Sequence, residues 1–248
     1  MFPYLRLGPF LLQMPLLALL IGLWVSVSYI EQEAVRLRLN KDSLNNLISY
    51  GLFGGIILAR LVYAAQYASI YLANPLSLLS LNTNTLSPFG GLLGGVAIAF
   101  LYGYRQKLLL RQTLDALTPG LAFFMIAIGI SHLLSGNAYG VLSRIPWAIY
   151  MWSEYRQPTQ LYEIFLGLVI FTIILTRIIP TSRPRSQFIQ FVALSAIARV
   201  FVEGFRGDSV ILFDGYRTAQ VVGLAVLVVC LVLLRNWEGK DAHESKIG

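Results

Sequence analysis

Hydrophobic residues occur in long runs along the whole chain, separated by short polar or basic stretches. The runs predict membrane-spanning helices, because about 20 apolar residues are needed to cross a bilayer as a helix. Their approximate bounds are 10–30, 47–72, 88–104, 114–135, 161–179, 187–205 and 219–234. We therefore predict an all-α integral membrane protein with seven transmembrane helices, forming one membrane domain over residues 1–248. No convincing small-residue cleavage site follows the first run, so we expect it to be retained as a span.

Basic residues between the runs predict the orientation. Clusters of Lys and Arg follow the first, third, fifth and seventh runs, whereas the opposite connections carry few. Because basic loops stay on the cytoplasmic side, the N-terminus is predicted outside and the C-terminus inside. Residues 136–160 then form an outward-facing, interfacial connection, and residues 235–248 form a polar cytoplasmic tail.

Composition supports a membrane protein and narrows its chemistry. The chain is 56% hydrophobic and 12% charged, about half the charged fraction of a typical soluble domain. Its net charge of +7 is spread between the runs, which favours contact with anionic lipid and not with nucleic acid. Cys230 is the single cysteine, and His132 and His243 are isolated. We therefore expect no disulfide, no metal site and no cofactor.

Charged residues inside apolar runs are the strongest functional signal. The stretch ARVFVEGFRGD, residues 198–208, places Arg199, Glu203 and Arg206 at i, i+4 and i+7, on one helix face. Arg60 lies within the second run. Either Arg60 pairs with an acid such as Glu203 and locks helices together, or these groups bind a ligand. Arg60 and Arg199 against Glu203 would leave surplus positive charge, which phosphate suits well.

Two further stretches allow both structural and functional interpretations. QPTQLYE places Gln160, Tyr162 and Glu163 at the start of the fifth run, where they either cap the helix or support a cavity. The glycines of PFGGLLGG in the third run favour close helix packing or a backbone lining a cavity.

Five motifs in order carry a family resemblance. QPTQLYE resembles HPSQLYE, ARVFVEGFRGD resembles RFxxExFRxPD, and SGNAYGVLSRIPWA resembles NGELYGRxTDLPWA. LARLVYA resembles GGRIGYV, and LSPFGGLLGG resembles MSFHGGLLGG. Together the motifs cover nearly the whole chain, which is similar to the prolipoprotein diacylglyceryl transferase family.

The resemblance implies seven-span bacterial plasma-membrane enzymes. They move diacylglyceryl from phosphatidylglycerol to the lipobox cysteine thiol of a prolipoprotein and release glycerol phosphate. Their partners are therefore a phospholipid and a prolipoprotein signal peptide. The family's residue types are kept at Arg60, Tyr63, Gly136, Gly140, Gln160, Tyr162, Glu163, Arg199, Glu203 and Arg206.

Several positions differ from the family motifs. Phe89 stands where the family has a histidine proposed as a base, and Gly129 stands where it has a phosphate-binding arginine. Phenylalanine cannot move a proton, and glycine cannot neutralise a phosphate. His132 replaces an asparagine within about one helical turn of Gly129. Further differences include those at Asn137, Val141 and Gln157.

Two functions therefore stay open. The first is a divergent transferase, in which Arg60, Arg199 and Arg206 bind the lipid phosphate and His132 or Tyr63 assists the thiol. Glu203, Gln160, Tyr162, Glu163 and Gly140 would complete the substrate site. The second is a catalytically inactive relative that acts as a lipid-binding protein or as an accessory subunit bound to other membrane subunits.

Overall fold

The computed structural model describes residues 4–7, 10–79, 85–178, 186–212 and 215–244. The helices are α1 Met14–Arg36, α2 Lys41–Gln66, α3 Ala68–Ala73, α4 Pro88–Arg105, α5 Leu110–Ser135, α6 Thr159–Thr176, α7 Gln187–Glu203 and α8 Thr218–Glu244, with a 3-10 helix at Pro75–Leu79. Three antiparallel hairpins pair β1 Tyr4–Leu7 with β2 Phe10–Gln13, β3 Ile149–Met151 with β4 Glu154–Arg156, and β5 Ile211–Leu212 with β6 Tyr216–Arg217.

Five of these helices are long and apolar enough to cross a membrane: α1, α2, α5, α6 and the Thr218–Arg235 part of α8. The chain is therefore a helical integral membrane protein.

Side chains cap the first turns of two of the helices. Asn40 accepts a hydrogen bond from Ser43 N at the start of α2, and Ser87 accepts one from Gly90 N at the start of α4, where Pro88 occupies the first turn.

The boundaries differ from the sequence prediction at several places. Residues 10–13 do not begin the first span but pair as β2 with β1, and the helix starts beside Pro15, whose missing N–H has no partner in a first turn anyway. The membrane protein is all-α as predicted, and its connections add three short hairpins that sequence reasoning did not predict. Helix α8 continues beyond 234 to Glu244. The predicted fifth-span end at 179 and the basic residues Arg183 and Arg185 lie outside the described residues.

Contacts divide the chain into two compact units. The first, called the larger unit, comprises Met1–Glu33 and Leu114–Gly248. The second comprises Ala34–Thr113 and is called the two-helix unit after its two long helices, α2 and α4; it also contains the short α3 and the 3-10 helix. In the two-helix unit, α2 and α4 run antiparallel and touch through glycines. A Cβ on Gly95 would lie 2.8 Å from Gly51 O, and one on Gly55 would lie 3.0 Å from Gly91 O. The glycines predicted for close packing therefore bring two backbones together.

The larger unit is built on α5, α6 and α7. A buried cluster joins Ala122 of α5, Ile170 and Ile174 of α6, and Phe191 and Ala198 of α7. At the end of the unit away from the β3–β4 hairpin, Arg177 contacts both carboxylate oxygens of Glu33 at 2.9–3.0 Å and so links α6 to α1. Asp115 accepts a hydrogen bond from Phe188 N at the start of α7. These contacts fix the frame on which the polar residues described next are held.

Candidate functional site

A cavity of about 190 Å³ opens among α5, α6 and α7 in the larger unit. Its polar wall carries His132, Glu163 and Arg199, and the remainder is mainly apolar, with Met125 and Leu166 among its members. The cavity therefore offers a charged end and an apolar body, which suits an amphiphilic ligand.

His132 and Glu163 form the closest polar contact of the cavity. His132 Nδ1 lies 2.7 Å from Glu163 Oε2, and the two side chains are 29% and 15% exposed. An ionised carboxylate only accepts hydrogen bonds, so the proton of a neutral imidazole is held on Nδ1 and Nε2 is left as an acceptor. This arrangement prepares a histidine to receive a proton.

Glu163 also meets both arginines of the 198–208 stretch. Its Oε1 lies 3.3 Å from Arg206 Nη1 and 3.8 Å from Arg199 Nη1. Arg199 Nη2 lies 3.1 Å from Oε2 of Glu203, which is almost fully buried. Among the described residues that oxygen has no aligned hydrogen-bond donor, so the Arg199–Glu203 contact is an ion pair with loose geometry. Arg199 itself is 43% exposed and borders the cavity.

The expectation of surplus positive charge set Arg60 and Arg199 against Glu203, but Arg60 belongs to the two-helix unit described above, and the arginines of this cluster are Arg199 and Arg206. Sequence reasoning considered Glu203 as the single carboxylate near the arginines. In the structure Glu163 is a second one, and Asp208 is a third, which accepts two hydrogen bonds of 2.9 Å from Arg206. Arg199 and Arg206 thus contact three carboxylates, and the cluster does not by itself require a bound anion. Asp208 follows Arg206 by two residues in the same motif, which is the signal that sequence reasoning overlooked.

The Arg206–Asp208 pair lies just after the end of α7, and the pKa of each group differs from its ordinary value. Burial alone raises the pKa of Asp208. The hydrogen bond and the positive charge of Arg206 lower it, and so do hydrogen bonds from the backbone N–H groups of Asp208 and Ala138. Together they hold the pKa of Asp208 below its ordinary value. For Arg206, burial alone lowers the pKa, but Asp208, Glu163 and Glu203 together raise it above its ordinary value. Both groups are therefore charged at neutral pH.

Backbone pairing fixes the turn that carries Arg206. Gly140 bridges to Arg206, Val141 N donates to Phe205 O at 2.9 Å, and Gly207 N donates to Tyr139 O at 2.8 Å. A Cβ on Gly140 would lie 2.2 Å from Gln157 O, so the close approach requires glycine. The predicted site residue Gly140 thus acts through packing of three chain segments.

Arg217 is a second residue that sequence reasoning missed. Its guanidinium donates to the carbonyl oxygens of Glu203 and Arg206, the latter at 2.9 Å, and closes the turn after α7. Its position between the last two apolar runs gave no signal beyond a single loop charge.

Gln160 and Tyr162 support the site from its outer end. Gln160 is fully buried, and its Nε2 donates to Asn137 O at 2.9 Å. Tyr162 OH accepts a hydrogen bond from Trp147 Nε1 at 2.9 Å, and its ring packs edge-on against Phe205. Both contacts tie the start of α6 to its neighbouring connections.

The two main departures from the family motifs have different surroundings. Gly129 borders the cavity, and a Cβ there would lie 2.9 Å from Ile164 Cγ1 and 3.2 Å from Ile164 N. Helices α5 and α6 have therefore closed on the position where the family motif has an arginine. Phe89, near the start of α4, is 73% exposed.

Arg60 and Tyr63 belong to the two-helix unit. Arg60 Nε donates to Leu78 O at 3.1 Å, Nη2 to Ser77 O at 2.6 Å, and Nη1 to Thr85. The Tyr63 ring packs on Tyr67 at 4.7 Å. Arg60 therefore holds the connection between α3 and α4 by hydrogen bonds. The larger unit brings together a different group of predicted site residues, namely His132, Glu163, Arg199, Glu203 and Arg206.

Comparison with known proteins gives a consistent result. A family model described as prolipoprotein diacylglyceryl transferase matches residues 4–235. A relative from Halalkalibacterium halodurans named phosphatidylglycerol–prolipoprotein diacylglyceryl transferase is 28% identical over 247 residues, covering 93% of this chain and 84% of its own. Relatives of the same name are 27% identical in Streptococcus uberis, covering 92% of both chains, and 26% identical in Clostridioides difficile, covering 78% of this chain and 77% of its own.

Proposed function

The chain belongs to the prolipoprotein diacylglyceryl transferase family, and from this premise we propose that it is a divergent phosphatidylglycerol–prolipoprotein diacylglyceryl transferase of the bacterial plasma membrane. It would cross the bilayer seven times, with the N-terminus outside and the C-terminus in the cytoplasm, as the basic loops indicate. The observation that carries the proposal is the His132–Glu163 contact of 2.7 Å at the wall of a cavity that Arg199 also lines.

In this proposal His132 supplies the proton acceptor that Phe89 cannot. Glu163 holds Nδ1, and Nε2 takes the proton of the lipobox cysteine thiol. The thiolate sulfur then bonds to the terminal glyceryl carbon as the bond between that carbon and the phosphate oxygen breaks, and glycerol phosphate leaves. Because thiolate is the nucleophilic form of cysteine, proton removal is the step that the histidine assists.

Arg199 is the proposed phosphate ligand. Its ion pair with Glu203 lacks hydrogen-bond alignment, and the side chain is 43% exposed, so it can turn towards an anionic group. Phosphate offers a guanidinium two well-placed oxygens. The apolar part of the cavity, including Met125 and Leu166, suits the acyl region of the lipid. Arg206, Gln160, Tyr162 and Gly140, all in the larger unit, complete the proposed substrate site.

A second function has its own supporting observation. Arg199 and Arg206 are offset by Glu163, Glu203 and Asp208, so an incoming phosphate must compete with existing ion pairs. The space for the family's arginine at Gly129 is also closed by Ile164. These features favour an inactive relative that keeps the fold as a lipid-binding protein or an accessory subunit of a membrane assembly.

A depletion–rescue assay separates the two functions. The gene is expressed in a bacterium whose only diacylglyceryl transferase is depleted, beside an Arg199→Ala variant produced at the same level. Growth with the wild-type gene and loss of growth with Arg199→Ala supports the transferase. Absence of rescue, with the protein present in the membrane, rejects the transferase and leaves the accessory role.

A further inference from the structure

Four large aromatic side chains are exposed on the connection between α5 and α6. Trp147, Tyr150, Trp152 and Tyr155 are 60–67% exposed; residues 147–156 are called the aromatic hairpin below. Tyr150 and Tyr155 face each other across β3 and β4, with ring centroids 5.3 Å apart and edge-to-face geometry. Four exposed aromatic side chains within ten residues of one connection indicate contact with something other than water.

The polar atoms of both indoles are already paired inside the protein. Trp147 Nε1 donates to Tyr162 OH at 2.9 Å, and Trp152 Nε1 donates to Gly136 O at 3.2 Å. The exposed parts of these rings are therefore apolar, with no donor left to desolvate. Moving them out of water gains the free energy of apolar burial without an unpaired N–H.

The aromatic hairpin is held in place from its other side. Met151 is 4% exposed, and its sulfur lies 3.6 Å from Nε2 of the buried Gln160. The guanidinium of Arg156 lies over the Tyr139 ring at 4.9 Å. The outward aromatic side chains thus project from a fixed support.

Backbone strain at the hairpin turn points the same way. Trp152 and Ser153 have φ values of 54° and 65°, in the left-handed region that asparagine and glycine usually fill in two-residue hairpin turns. A bulky side chain there is disfavoured, so the surroundings must hold it. Such outliers are typical of functional surfaces.

The position of the aromatic hairpin identifies its partner as lipid. It follows α5 and ends just before α6 begins at Thr159, and both helices are long and apolar enough to span a membrane. Tryptophan and tyrosine concentrate where membrane helices leave the hydrocarbon region. Arg144 is exposed on the same connection, and a long guanidinium side chain can extend to the lipid headgroups.

We propose that the aromatic hairpin rests in the headgroup region of the lipid leaflet and anchors the connection that holds Arg206. Gly140, which bridges to Arg206, lies on this connection, and Leu142 bridges to Arg156 of β4. Lipid contact at the hairpin would therefore steady the outer end of the cavity. This proposal does not depend on the chain being an active transferase.

Depth-dependent fluorescence quenching tests the proposal on the full chain. Variants that keep one tryptophan, with the others replaced by Phe, are reconstituted in phosphatidylglycerol–phosphatidylcholine vesicles. The vesicles carry acyl chains brominated either near the headgroup or near the chain end. Trp24, 73% exposed in the middle of α1, is the internal standard for a deep position. Thermal unfolding of each variant verifies that it remains folded.

Trp152 is expected to lose more emission with bromine near the headgroup, and Trp24 with bromine near the chain end. Aqueous iodide should quench Trp152 weakly. Strong quenching of Trp152 by iodide with no effect of brominated lipid would overturn the proposal in favour of a water-exposed hairpin. Resistance to both quenchers would overturn it in favour of cover by another protein. Trp147, kept alone in the same way, provides a second reading of the same surface.

Discussion

At the residue scale, His132 is the position where this chain has an imidazole in place of the amide of its family motif. The family motif has asparagine there, and the imidazole now lies 2.7 Å from Glu163. The family motif has a histidine at the position that Phe89 occupies in this chain. A proton acceptor that had moved from α4 to α5 would leave this pattern, with Phe89 in place of the family's histidine and an imidazole at His132.

Replacing His132 by Asn, the family's own residue, tests this relocation. Transfer of diacylglyceryl from phosphatidylglycerol to a lipobox peptide should fall by about 10²–10⁴, the usual contribution of a positioned acid–base group. His243→Asn, in the C-terminal part of α8, is the matched control and should keep wild-type turnover. Equal activity of His132→Asn and the wild type would exclude His132 as the base.

Asp208→Asn tests the charge pair beside the cavity. Its folded-state pKa lies below the ordinary value of 3.8, so ionised Asp208 stabilises the fold above that value and the contribution is lost as pH falls through the folded-state pKa. At pH near 7 the variant should lose roughly 0.5–1 kcal/mol, as expected of a partly exposed pair. Thermal unfolding of both proteins measured down to acidic pH should show the difference shrinking below pH about 4. A difference that is constant with pH would contradict the role given to the carboxylate.

Sequence reasoning located these residues better than it located their partners. The spacing of Arg199, Glu203 and Arg206 predicted one shared helix face, which holds for Arg199 and Glu203 but was wrong for Arg206, because α7 ends at Glu203. Arg206 approaches Glu203 from the turn that follows the helix. The His132–Glu163 contact joins residues 31 positions apart on different helices. Periodicity within one helix cannot report such a contact, because it depends on how α5 and α6 are turned towards each other.

At the element scale, the approach of α5 to α6 at Gly129 controls what the cavity can contain. Restoring the family's side chain with Gly129→Arg should destabilise the protein by about 1–3 kcal/mol through overpacking against Ile164. It should also fail to raise transferase activity. Thermal unfolding in detergent provides the measurement, and Gly129→Arg combined with Ile164→Ala should recover part of the loss. Full stability of the single variant would show that the two helices separate easily.

The antiparallel contact of α2 and α4 offers a matched pair of glycines. Gly95→Val places atoms against Gly51 O, 2.8 Å from the Cβ position, and should destabilise the protein by about 1–3 kcal/mol. Gly103→Ala on the same helix meets Leu47 at an ordinary 3.5 Å and should be tolerated. Resistance to proteolysis in detergent compares the two, and equal behaviour would argue against a backbone contact at Gly95.

Helices were predictable from this sequence, and hairpins were not. The apolar runs of about 20 residues predicted most ends of the long helices to within a few residues. They did so because the thickness of the bilayer sets the length of an apolar helix that crosses it. Strand β2, residues Phe10–Gln13, is equally apolar and merges with the first run. The β3–β4 hairpin lacks the Asn-Gly type of turn that signals such elements, because Trp152 and Ser153 occupy the turn.

At the scale of the whole molecule, the predicted orientation has a direct test. A C-terminal fusion to a fluorescent protein should fluoresce, and a fusion to periplasmic alkaline phosphatase should be inactive, because the C-terminus is predicted in the cytoplasm. Phosphatase inserted after Ser143, in the predicted outward connection, is the control and should be active. The reverse pattern would invert the topology and place the cavity's outer end on the wrong side for a prolipoprotein.

The contact between Gly129 and Ile164 limits how this lineage can change. A mutation that restores arginine alone meets a neighbouring backbone nitrogen 3.2 Å from the new Cβ, so it is penalised before it can contribute any charge. An arginine at this position therefore needs a compensating change on α6, and it is tolerated only once that change is present. The packing of α5 against α6 thus decides which side chains this wall of the cavity can accept.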